Sequence, residues 1–79
     1  MAHYYFDLHE CGKATMDPEG RDFATLDEAR DAAIVDARAI MCGEIDDGAL
    51  CLSCYIDISD EGHVHLTRVL FKDAVEVNG

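Results

Sequence analysis

Basic residues are scarce in this chain. Six Lys and Arg stand against 17 Asp and Glu in 79 residues, a formal net charge of −11. No basic stripe runs along any segment, so release of counterions from a phosphate backbone has nothing to drive it. No nucleic acid and no membrane partner are therefore expected. Cations, metals and basic protein surfaces stay open, and the plainest use of the acidity is solubility. Met1-Ala2-His3-Tyr4 shows no basic segment leading into an apolar one, so a signal peptide is not expected. No apolar run approaches the ~20 residues of a spanning helix. A cytoplasmic location follows as the expectation, and with it four reduced cysteines.

The usual signatures of catalysis are missing as well. Ser53 and Ser59 stand in no G-x-S-x-G elbow. Glycines 12, 20, 43, 48 and 62 are scattered singly, so no loop is built to cradle phosphate. Asp46-Asp47 and Asp60-Glu61 flank glycines without the spacing of a calcium loop. A chain this short, with no insertion to form a pocket, is not expected to be an enzyme. No repeat or low-complexity segment is present.

What is present is a core for one domain spanning residues 1–79. Apolar residues make up 49% of the chain, yet a domain of this size buries only about 60% of the surface its unfolded form exposes. Association over an exposed face is a natural remedy for so small a core.

The clearest local signal is Thr25-Leu26-Asp27-Glu28. Thr25 and Glu28 make a T-x-x-E capping box, each side chain covering a backbone N–H orphaned at a helix start. From Leu26 to Cys42, Leu26, Ala29, Ala33, Ile34, Ala37, Ile40 and Met41 share one face, with Asp27, Glu28, Asp31 and Arg38 opposite. The helix stops at Gly43, or runs to Asp47 with Gly48 as a left-handed cap.

The flanks alternate with period two, the mark of strands. In residues 3–10, Tyr4, Phe6 and Leu8 point inward and His3, Tyr5, Asp7 and His9 outward. Cys11-Gly12 closes a hairpin onto Lys13–Met16, Asp17-Pro18-Glu19-Gly20 fits a type I turn, and Arg21–Ala24 leads into the helix. Residues 50–58 read as a strand with Leu52, Cys54, Ile56 and Ile58 inward and Cys51, Ser53, Tyr55 and Asp57 outward. A turn over Ser59–Gly62 leads to His63–Phe71, with Val64, Leu66 and Leu70 inward and His63, His65, Thr67 and Val69 outward; Arg68 then falls on the inward side and breaks the pattern. The tail from Lys72, with Ala74, Val75 and Val77, is an edge strand or lies across the helix. The expected fold is α+β: ββαββ, one helix on one face of a small antiparallel sheet, with the other face bare.

Tyr4-Tyr5-Phe6-Asp7-Leu8, the Asp17–Gly20 turn, the Leu26…Ala29…Ala33 helix and Phe71-Lys72-Asp73-Ala74-Val75 together resemble a family of small acidic bacterial proteins known only as a domain of unknown function. That resemblance covers nearly the whole chain and implies a fold but no activity. The first half, with its Thr25–Ala29 phrase, is more loosely similar to the HicB-type antitoxins. That likeness implies an acidic inhibitor of a basic partner.

The strand alternation sends His3, His9, His63 and His65 to the bare face, with Asp7, Asp57, Tyr5, Tyr55 and Cys51. Groups two residues apart on a strand share a side about 7 Å apart, and zinc takes four N, O or S ligands in a tetrahedron. His63-x-His65 with Asp7 or His9 is thus a candidate zinc site; solvated outward positions need no metal to explain them. Cys51-x-x-Cys54 looks like a zinc or redox pair, but in a regular strand this spacing sends the sulfurs to opposite faces. Cys54 and Cys42 then read as core or near-core residues, Cys51 and Cys11 as exposed and oxidisable. No cofactor is required, zinc aside. The leading expectation is a non-enzymatic interaction module that pairs with a second copy or a protein partner, with Tyr5 and Tyr55 as anchors. A zinc-binding or pH-sensing protein is the alternative.

Overall fold

The computed structural model describes residues 1–76. Its elements run β1 (Ala2–Glu10), β2 (Lys13–Thr15), β3 (Arg21–Phe23), α1 (Leu26–Asp46), β4 (Tyr55–Ser59) and β5 (His65–Leu70), followed by a single 3₁₀ turn at Phe71–Asp73. The strands form one antiparallel sheet in the order β2-β1-β4-β5, with β3 also on β1. One helix on one face of a small antiparallel sheet is the expected α+β architecture, with Arg21–Phe23 added as a short strand where a lead-in was expected.

β1 organises the sheet. Tyr5–His9 pair with β4, Leu8–Glu10 with β2 and Ala2–Tyr4 with β3. Between the two short pairings, the Phe6 N–H donates to the Asp17 carboxylate at 3.0 Å. Asp17 also takes the N–H groups of Glu19 and Gly20, which closes the Asp17–Gly20 turn. Burial works against the Asp17 charge, but the N–H bonds from Gly20, Phe6 and Glu19 and the nearby Arg21 outweigh it and hold the carboxyl below its ordinary range. Gly20 has φ +72°, and a Cβ there would lie 2.7 Å from the Tyr4 carbonyl oxygen and 2.5 Å from the His3 ring. Only glycine fits.

The capping box forms as read. Thr25 Oγ1 accepts the Glu28 N–H and a Glu28 carboxylate oxygen accepts the Ala24 N–H. The helix takes the longer of its two expected courses, ending at Asp46 with Gly48 in the left-handed region at φ +87°. Glu44 survives in the apolar stripe because its carboxylate accepts the Cys51 N–H at 2.9 Å. Ala29, Ala33, Ala37 and Met41 are buried in one cluster with Tyr4, Phe6, Ile56, Ile58, Val69 and Phe71. Side chains this small let the helix lie close to the sheet.

Several readings are corrected. The strand expected over 50–58 begins only at Tyr55. Cys51–Cys54 holds no β-branched residue, and the favourable strand composition starts with Tyr55-Ile56-Asp57-Ile58. In β5 the inward set is reversed: Val69 is 4% and Phe71 0% exposed, whereas Val64 is 60% and Leu66 39% exposed. The cause is a bulge. Ser59 pairs with His65, but Ile58 pairs with Thr67, leaving Leu66 as the extra residue. Parity changes across it, so Thr67 and Val69 join the inward register and Arg68 pairs with outward Asp57. Among the described residues the tail forms the 3₁₀ turn, buries Ala74 and offers its carbonyl to Arg38 Nε at 2.7 Å, with no edge strand. Val77 lies outside the described residues. Cys42 is exposed on the helix and not part of the core, while Cys54 is buried as expected. The cysteines are not all reduced, since Cys11 and Cys51 form a disulfide across 40 residues. Among the described residues no helix is long and apolar enough to cross a membrane.

Candidate functional site

The face of the sheet opposite α1 carries the groups that the alternation sent there, arranged in two clusters. The first is centred on Tyr5. The His63 ring stacks on it with centroids 4.4 Å apart, and His3 meets it edge-on at 5.1 Å. His63 reaches this position from a left-handed backbone (φ 61°) at the end of the Asp60–His63 turn. His3 Nδ1 lies 2.6 Å from Asp22 Oδ1 and His3 Nε2 lies 2.7 Å from the Glu19 carbonyl. Both ring nitrogens therefore face acceptors, and both bonds form together only when the ring is protonated. The Asp22 bond first, then the Glu19 carbonyl, raise the His3 pKa above its ordinary value.

The second cluster is centred on Asp57, whose side chain is 15% exposed. Its Oδ1 accepts from Arg68 Nε at 2.8 Å, and His65 Nε2 stands 3.2 Å from the same oxygen. His9 Nε2 lies 3.5 Å from Oδ2. Burial opposes the charge, but Arg68 and His65 overcome it and hold the Asp57 carboxyl below its usual range. Tyr55 is sandwiched beside this group, with the His9 ring stacked at 4.6 Å and the Arg68 guanidinium 3.9 Å from its centroid. Such a cation–π contact orients the guanidinium over the ring, and water screens its strength at an exposed site.

Asp7 pairs across the strands with Asp57, a like-charge juxtaposition that is unfavourable unless one side chain turns away. Asp7 does so, accepting the Asp17 N–H at 2.9 Å. Of the five candidate zinc ligands, then, His9 and His65 share a carboxylate, His3 and His63 share Tyr5, and Asp7 is engaged with the neighbouring loop. His63 and His65 fall in different clusters. Arg68, Asp22 and the Glu19 carbonyl complete the face and were not foreseen. Arg68 was hidden by the bulge, and the other two by the unrecognised pairing of β3.

A further cluster lies at the hairpin end of the sheet. Cys11, Cys51 and Cys54 are the three metal-ligand side chains whose donor atoms lie within 4.8 Å of one another among the described residues. The strand argument against Cys51-x-x-Cys54 fails because Cys51 is not in a strand. The spacing itself was the signal. Ser53 Oγ lies 3.2 Å from the sulfurs of both Cys11 and Cys51. Burial pushes the Cys54 thiol pKa up, against an opposing bond from the Cys11 backbone, and the nearby Glu44 and Glu10 carboxylates add to the rise.

A family model described as a domain of unknown function, DUF6894, matches residues 3–72. No curated protein matches the chain, and no solved structure does.

Proposed function

We propose that this chain, which belongs to the DUF6894 family, is a non-enzymatic protein-interaction module that self-associates through the outer face of its sheet. The observation carrying this reading is the pair of ring stacks on a face that no described element covers, His63–Tyr5–His3 and His9–Tyr55–Arg68. Rings already held in place lose little freedom on docking, and interface centres favour Tyr and Arg. A second copy suits the face because it is self-complementary. Along β1 the acidic Asp7 lies between His3 and His9, and the cross-strand row that it opens runs through Asp57 to Arg68. A two-fold axis placed between these rows sets the histidines of one copy against the carboxylates of its partner. Sedimentation equilibrium tests this. The parent chain is expected to be a dimer and Y5A/Y55A a monomer with an unchanged circular dichroism spectrum; a dimer that survives both changes ends the proposal.

One observation favours a second reading, in which the histidines sense pH or take up zinc. His9 and His65 reach one carboxylate, Asp57. Arg68 already holds that carboxylate, which favours protonation over a metal. Protonated imidazoles of one copy would face the acidic row of the other, so acidification below neutrality is expected to tighten the dimer. If H9A/H65A gains as much affinity on acidification as the parent, the histidines do not act as the sensor.

A further inference from the structure

Three sulfurs from two distant parts of the chain meet where the hairpin tip faces the segment entering β4. Cys11 comes from the β1–β2 turn, and Cys51 and Cys54 flank a single turn before Tyr55. Around a zinc ion, thiolates 2.3 Å from the metal stand about 3.8 Å apart. The Cys54 sulfur already lies within 4.8 Å of the other two, and once the Cys11–Cys51 bond is reduced those two sulfurs have only to part to that spacing. The chemistry around them suits a cation. Ser53 Oγ stands 3.2 Å from two of the sulfurs, placed to donate its one O–H to either thiolate. Glu44 fixes the Cys51 backbone with one carboxylate oxygen. Its other oxygen is buried without a partner among the described residues, an acceptor lacking a donor such as water on a bound ion. Cys54 is 1% exposed, so a metal there would be shielded from competing thiols on that side.

We propose that the reduced chain binds one zinc ion through the thiolates of Cys11, Cys51 and Cys54, with the fourth position left to water. The disulfide and the metal are alternative uses of the same sulfurs, which makes the site redox-gated. A dithiol reductant gives two electrons and two protons to the Cys11–Cys51 bond, yielding two thiols and its own cyclic disulfide. Zn²⁺ then replaces three thiol protons, which pass to solvent. Oxidation of the zinc-bound form by a disulfide oxidant re-forms Cys11–Cys51, leaves Cys54 alone and releases the ion. The three sulfurs draw on none of the four histidines, although His9 and Tyr55 line the same cavity as Cys11 and Ser53.

The test is an anaerobic cobalt titration of the full chain after reduction, with Co²⁺ as the spectroscopic stand-in for zinc. One equivalent is expected to produce a thiolate-to-cobalt charge-transfer band and the intense visible bands of tetrahedral cobalt. The disulfide form should show neither. C54S should lose the charge-transfer band, S53A should weaken binding about 10–100-fold as an outer partner does, and C42S and H9A/H65A should leave it unchanged. X-ray absorption of the zinc-loaded parent chain needs no variant and should count three sulfur neighbours. A reduced chain that takes up no cobalt, a C54S chain that binds as the parent does, or a zinc shell of nitrogen and oxygen alone would overturn the proposal.

Discussion

On the side of the sheet that faces α1, Ile56, Ile58, Val69 and Phe71 cluster with Ala29, Ala33, Ala37 and Met41, and the contacts are apolar. On the other side, Asp57 gathers Arg68, His65 and His9, and Tyr5 lies between His63 and His3. The same strands build both. The inner face gains from removing surface from water, which is non-directional and grows with area. The outer face gains from bonds that depend on angle and protonation, each contributing little while water competes. The inner face should therefore govern whether the chain folds, and the outer face what it meets and at which pH.

The comparison breaks most sharply at Phe71, fully buried at the start of the 3₁₀ turn. Phe71→Ala is expected to cost about 3–5 kcal/mol of unfolding free energy by urea titration, a large part of the stability of so small a domain. A loss under 1 kcal/mol would mean that the helix side is not the principal core. Ala33→Leu asks how closely the helix lies. Ala33 is 0% exposed, and extra methylenes at a filled site are expected to cost about 1–3 kcal/mol. Arg68→Ala removes a cation–π contact and an ion pair from the outer face, and a loss well below that of either inner-face change is expected in the same assay.

The smallest effect is one of pH. The His3 pKa is raised, chiefly by Asp22, so its contribution is fully present below the ordinary histidine value and is lost as pH rises through the higher folded one. Asp57 runs the other way. Burial opposes its charge, but Arg68 and His65 prevail and its pKa is lowered. Its contribution is present above the ordinary carboxylate value and lost as pH falls through the folded one. Melting temperatures of H3Q and the parent chain should converge as pH rises above neutrality and separate below it. A difference constant from pH 5 to 9 would show that His3 does not hold its bonds as an imidazolium.

The inner face was the legible one. Period-two alternation placed Tyr4, Phe6, Ile56 and Ile58 correctly, and the 3.6-residue period placed Ala29, Ala33, Ala37 and Met41, because burial repeats with the backbone. The capping box was legible because its partners are three residues apart. The four histidines were sent to the right face, but not to their partners. His3 finds Asp22 through β3, and Arg68 finds Asp57 through a bulge, and neither pairing leaves a periodic trace. The cysteines were misread for the same reason. Period two was extended back to residue 50, where the chain is a loop, and the spacing was judged by the wrong geometry.

The bulge between Ile58 and Ser59 gives the second hairpin an odd count. On its far side every residue of β5 has the facing opposite to the one that an unbroken ladder would assign. Hairpin length is consequently not free to drift. Removal of Leu66 alone would leave Ile58 opposite Thr67 and Asp57 opposite Arg68 in an unbroken ladder, whereas removal of Thr67 with the bulge kept would carry Arg68 toward the helix and Val69 out to water. Relatives of this chain should tolerate loss of the bulge residue itself, but beyond it gain or lose residues in twos or compensate a single change at once on the opposite strand.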